Sequence, residues 1–150
     1  MTTATTLILA AGCCGGGPAA PPTFTVTELG VGGGELPGQL SAEVARALEL
    51  GRNPFVEVYA DWCGPCKALR DSLGDPLMVD AFEGTYIIKL DYDAWGEKLE
   101  KAGLGSSAVP VFFELDGRGK PTGRSIDGGA WGENIPVNMA PPLKAFFGAE

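Results

Sequence analysis

Polar and apolar positions alternate over 23–29 (TFTVTEL), and the alternation with its β-branched residues predicts a strand. A glycine-rich loop follows at 30–38. Ser41 is a good N-cap, so a helix is expected over 42–50, stopped by Gly51 and Pro54. The short apolar runs 55–60 (FVEVYA) and 86–90 (YIIKL) fit buried strands. Between them, a helix is expected over 65–73, opening at a CGPC turn, and a shorter one over 77–82 after the break at Asp75-Pro76. One helix is expected over 95–102, ended by Gly103. A strand over 111–115 and another over 122–126 flank the hairpin turn signal DGRGK. Pro141-Pro142 belongs in a first helical turn, placing a last helix at 142–147. Strands alternating with helices in this order imply an α/β domain, a central sheet covered by helices on both sides.

Residues 1–22 follow a different pattern. A short apolar run, TTLILAAG, leads into Cys13-Cys14 and then the flexible linker GGGPAAPP. The run is too short to span a bilayer as a helix. The folded domain is therefore expected over 23–150.

The remaining composition narrows the chemistry. The formal net charge is −8, which argues against nucleic acid as a partner, because phosphate binding needs a basic face. The chain has no histidine. That excludes imidazole bases, Cys-His hydrolases and Cys/His zinc sites. Proton transfer near neutral pH falls to a thiol, a shifted carboxylate, a shifted lysine or water.

The four cysteines form two close pairs, Cys13 with Cys14 and Cys63 with Cys66. A bridge between Cys63 and Cys66 closes a tiny loop and adds little entropic stability. Reactivity explains that pair better than stapling does. In ADWCGPCK a strand delivers Cys63 to the start of a helix. Unpaired N–H groups and the positive end of the helix dipole favour a thiolate there. Cys66, one turn on, is within reach to resolve a mixed disulfide formed by Cys63. Gly64 permits the tight turn, and Pro65 supplies a helix-compatible φ without an unpaired N–H. A Cys₄ zinc site is the competing reading of four cysteines, but Cys13 and Cys14 are adjacent rather than spaced, in a tail.

WCGPCK resembles the thioredoxin active-site motif residue for residue, and FVEVYADW before it and VPVFFELDGRGKP after it extend the resemblance over roughly 55–147. The resemblance implies a thioredoxin-like fold with a mixed central sheet. It implies that Pro110, after Val109, is a cis-proline lying against the cysteines. It implies that Glu57 stands where the family places a buried acid, usually aspartate, beneath the resolving cysteine. Lys89 resembles the lysine neighbouring that acid, and Trp62 the residue shaping the substrate surface. The stretches VEVYADWCGPCK, YIIKLDYD and VPVFFELDGRG are most similar to the periplasmic reducing domain of DsbD-type transmembrane electron transporters. LAAGC resembles a bacterial lipoprotein signal, implying lipid on Cys13, anchoring at a membrane and a periplasmic or cell-envelope location. A plain tail on a cytoplasmic protein is the alternative.

The expected function is thiol–disulfide exchange without an added cofactor, with the Cys63–Cys66 pair as the redox centre. Expected partners are protein disulfides and an upstream thiol donor, including a membrane transporter. Gly64-Pro65 matches reducing members of the family. A disulfide oxidant or isomerase, or a non-catalytic binding or chaperone module, is the alternative. Residues 127–140 exceed the connection found in plain thioredoxins. They are read either as a partner-binding ledge carrying Trp131 or as a passive loop.

Overall fold

The computed structural model describes residues 21–149. The expectations for Cys13 and for the linker lie outside the described residues. Five strands form one sheet: β1 (Thr25–Glu28), β2 (Asn53–Tyr59), β3 (Thr85–Asp91), β4 (Val111–Leu115) and β5 (Pro121–Asp127). Their spatial order is β1-β3-β2-β4-β5. β3 is parallel to both β1 and β2, whereas β4 is antiparallel to β2 and β5. The sheet is therefore mixed, as expected. β2 and β3 lie inside it and are buried on both faces, which is why each reads as a nearly continuous apolar run.

The helices are α1 (Leu36–Glu49), α2 (Gly64–Ser72), α3 (Pro76–Phe82), α4 (Tyr92–Trp95), α5 (Glu97–Lys101) and α6 (Pro136–Gly148). The period-2 alternation of the strands sorts the core into two layers. Val56, Val58, Ile88, Leu90 and Phe113 pack with Leu40 and Val44 of α1, Trp95 of α4 and Leu99 of α5. Phe55, Ile87 and Phe112 pack on the other face with Leu69 of α2, Phe82 of α3, and Leu143 and Phe147 of α6. On that second face a ring cluster centres on Phe147, whose ring centroid is 4.8 Å from Phe55, 4.9 Å from Phe82 and 5.3 Å from Phe112. Such pairs add about 0.5–1.5 kcal/mol each beyond area burial.

Four expectations need correction. α1 starts at Leu36 with Pro37 in its first turn, so Ser41 is inside the helix and is not its N-cap. Leu36 and Leu40 both reach the core, so the apolar spacing that defines the helix begins ahead of Ser41. The single helix at 95–102 is two, α4 and α5, separated at Gly96. Gly96 has φ 49° and ψ −130°, a conformation other residues rarely adopt. Pro141 and Pro142 sit inside α6, which starts at Pro136. An interior proline costs about 3 kcal/mol or more. Met139 and Ala140 before the pair and Leu143 and Phe147 after it enter one core, and that burial keeps the helix continuous. Trp131 is 7% exposed and packs into the same core, so it is not carried on a ledge.

Candidate active site

β2 ends at Tyr59, and after three intervening residues Cys63 becomes the N-cap of α2. Its backbone is extended (φ −81°, ψ 109°), and its N–H donates to Ala60 O at 3.1 Å. Cys66 N–H donates to Cys63 Sγ at 3.1 Å. One of the orphan N–H groups of the helix start thus points at the sulfur where negative charge would develop. Gly64 and Pro65 occupy the first two helical positions, where a missing N–H removes no helical hydrogen bond. Cys63 and Cys66 are joined by a disulfide with Cα atoms 5.3 Å apart. Both are nearly buried, at 3% and 4% exposure.

The Val109–Pro110 peptide bond is cis. Val109 O lies 3.5 Å from Cys63 Sγ, and Pro110 O accepts from Gly128 N–H at 3.2 Å. Pro110 is itself buried, and Val109 packs against the cluster formed by Ala60, Cys63 and Cys66. Trp62 is 65% exposed, and its Nε1–H donates to Asp93 Oδ2 at 2.8 Å. A cleft of about 90 Å³ opens beside it, lined by Trp62, Tyr92, Ser106, Ser107, Ala108 and Val109.

Glu57 is 2% exposed, on the sheet face that α2 covers. Its Oε1 has no hydrogen-bond partner. Burial pushes its carboxyl up to about 7, against a smaller opposing pull from the Lys89 charge, while Glu28 pushes the same way as burial. A carboxyl poised there can hold or release a proton at neutral pH. Lys89 is directly opposite Glu57 in the β2–β3 register. The two do not form an ion pair; the Lys89 ammonium instead sits 4.1 Å over the Tyr59 ring. A small cavity of about 20 Å³ lies at this corner, with Cys66, Lys89, Tyr59 and Arg70 in its wall.

Residues 41–131, more than half of the chain, match the family model described as Thioredoxin. The chain belongs to the thioredoxin family. It is 30% identical over 80 residues to thioredoxin H-type of Oryza sativa subsp. indica, covering 53% of this chain and 62% of that protein. The identity is 31% over 77 residues with a thioredoxin of Mycoplasmoides gallisepticum, covering 51% of this chain and 74% of that one. The spinach chloroplast thioredoxin F structure (short form) superposes with a TM-score of 0.52 at 19% identity, covering 85% of this chain and 97% of that one. At that identity the superposition establishes the shared fold. The thioredoxin fold thus places Cys63, Cys66, Gly64, Pro65, Trp62, Val109 and Pro110 at one end of the sheet, with Glu57 and Lys89 just beneath.

Three residues here went unnoticed as site candidates in the sequence. Asp93 anchors Trp62. Tyr59 and Glu28 are joined by a hydrogen bond from the Tyr59 hydroxyl to Glu28 Oε1, next to Lys89. The alternation of FVEVY places Tyr59 on the face that carries Glu57, but the alternation of TVTE does not tie Glu28 to that face. Only the β1–β3 register, with Glu28 opposite Lys89, shows that they meet. Among the described residues no group of three or more His, Cys, Asp or Glu side chains is placed to hold a metal ion, and Cys63 and Cys66 are bridged to each other.

Proposed function

We propose that this thioredoxin-family chain is a thiol–disulfide oxidoreductase that reduces protein disulfides. The observation supporting it most is the Cys63 sulfur at the N-cap of α2, receiving the Cys66 N–H and bridged to Cys66 beside Pro110. In the dithiol form, the Cys63 thiolate attacks one sulfur of a substrate disulfide. A mixed disulfide forms and one substrate thiolate leaves. Glu57 accepts the Cys66 proton, and the Cys66 thiolate then attacks Cys63 Sγ. The second substrate thiolate leaves, and the protein keeps the Cys63–Cys66 disulfide. Two electrons pass to the substrate, and an upstream dithiol donor restores the starting state by the same exchange in reverse.

Pro110 and Val109 form the wall against which an extended substrate segment would lie, and Trp62 with the adjoining cleft offers it an apolar contact. Gly64 and Pro65 between the cysteines, by resemblance to reducing members, support the reducing direction. The resemblance to the reducing domain of DsbD-type transporters supports a membrane transporter as the donor. The LAAGC sequence supports lipid on Cys13 and a cell-envelope location. Among the described residues no helix is long and apolar enough to cross a membrane, so anchoring by this reading would rest on Cys13.

Reduction of insulin disulfides by the wild type and by Cys63→Ser tests the activity. Turnover by wild type and background rates for the variant are expected; equal rates would overturn the assignment of the nucleophile. A redox titration of the Cys63–Cys66 couple tests direction. A potential near that of thioredoxin, about −270 mV, fits a reductant, whereas one near −120 mV would make the chain an oxidant.

A further inference from the structure

Three charged side chains stand in one row across the sheet. Glu28 of β1 is opposite Lys89 of β3, and Lys89 is opposite Glu57 of β2. One ammonium therefore lies between two carboxylates, one exposed and one buried. The buried one needs the charge more, since an isolated carboxylate in a low-dielectric site is costly. It does not receive it in full. The ammonium is drawn to the Tyr59 ring at 4.1 Å, and the Tyr59 hydroxyl is tied to Glu28. Glu57 Oε1 is left without a partner.

We propose that Glu28 and Tyr59 are positioning residues that hold the Lys89 charge back from Glu57 and so set proton exchange between Glu57 and Cys66. This rests on the redox reading above for its purpose, but the charge arrangement can be measured without turnover. Tyr59 presents a π face to the ammonium, and both side chains are half-buried there, so the attraction is little screened by water. Glu28 adds its own negative charge on the solvent side. An opposite charge within about 4–6 Å moves a carboxyl by about one to three units, so a small displacement of Lys89 has a large effect on Glu57.

The other charged groups at this corner are Asp91 of β3, Asp61 of the turn before α2, and Lys67 and Arg70 of α2. Arg70 is engaged with Asp71 at 3.0 Å. Lys89 is the cation in register with Glu57, which makes it the one whose position decides the outcome. Phe112 of β4, opposite Glu57 on the other side, carries no charge.

The test is a pH titration of the Glu57 carboxyl by ¹³C NMR in the oxidised protein, with the signal assigned by its loss in Glu57→Gln. Glu28→Gln is expected to lower the midpoint by about half a unit or more, because the exposed negative charge drawing Lys89 away is gone and the ammonium swings toward Glu57. Tyr59→Leu is expected to move it the same way, since the ammonium then loses the ring face that holds it away from Glu57. In a Lys89→Met background the Glu28→Gln shift should fall to half or less, leaving only the direct repulsion between the two carboxylates. Any other pattern overturns the proposal: an unmoved or raised midpoint in either variant, or a Glu28→Gln shift undiminished without Lys89. Insulin reduction by the wild type, measured separately, tells whether the redox reading itself fails.

Discussion

The two faces of the sheet are built from the same strands, yet they do different work. The face under α1, α4 and α5 is filled by apolar side chains along the full length of β2 and β3: Val56, Val58, Ile88 and Leu90. The face under α2, α3 and α6 begins the same way, with Phe55, Ile87 and Phe112. Two residues beyond Phe55 and Ile87 it turns polar, at Glu57 and Lys89, with Glu28 of β1 in the same row. The first face also buries one carboxylate, Glu43 of α1, but there the Tyr86 hydroxyl and Arg46 satisfy both of its oxygens. The second gives up apolar burial at the end where β2 runs out into the Cys63 turn. A buried ionisable group is unfavourable for stability and useful for proton transfer near neutral pH. Stability and chemistry are thus separated across the sheet, and substitutions on the two faces should separate them too.

Cys66→Ser strikes the chemical face hardest. Cys63 can still attack, but nothing resolves the product, so catalytic turnover should fall to background. Mass spectrometry should then find the substrate bound covalently to Cys63. On the opposite face, Leu40→Ala should destabilise the fold by about 2–5 kcal/mol. Denaturant unfolding measures that cost, and the reduction potential of the remaining folded protein should not move. A changed potential would mean the faces are coupled.

Glu57→Gln should touch both properties, in opposite directions. The folded carboxyl sits up at about 7 against an ordinary value of 4.5, so the folded protein binds this proton more tightly than the unfolded chain does. Stability from this group is present below about pH 4.5 and falls as pH rises toward and past 7. The loss is roughly 3 kcal/mol by linkage. The amide cannot ionise, so Glu57→Gln should flatten that decline and be the more stable form at pH 8. It should also slow the resolving step by up to about 100-fold. Unfolding curves across pH 4–9, with single-turnover resolution rates, check both. The smallest effect is expected for Trp62→Ala. It removes an aromatic contact of about 0.5–1.5 kcal/mol, so KM for a protein disulfide should rise about 3- to 10-fold with kcat little changed.

Much of the chemical end was legible because its residues are neighbours in sequence. Cys63, Gly64, Pro65 and Cys66 make a local structure whose geometry follows from a helix start alone. Glu57 follows from the period-2 pattern of β2 together with the family resemblance. What escaped depends on pairings distant in sequence. Glu28 acquires meaning only when β1 lies beside β3, 61 positions from Lys89. Asp93 does so only when the chain after β3 folds back to Trp62. The elements misjudged were those where packing overrides local signals. Pro141 and Pro142 are breakers by their own chemistry, yet Met139, Leu143 and Phe147 hold α6 together around them. Ser41 has the side chain of an N-cap, but Pro37 and the buried Leu36 start α1 nearly two turns earlier.

The reactivity of the Cys63 sulfur carries the rest of the proposed chemistry. The most direct measurement is the rate of iodoacetamide alkylation of the reduced protein as a function of pH, with the modified cysteine identified by peptide mapping. Cys63 should react first, with a midpoint within about 3.5–7.5, well below the 8.5 of a free cysteine. A midpoint at or above the free value, or preferential modification of Cys66, would contradict it.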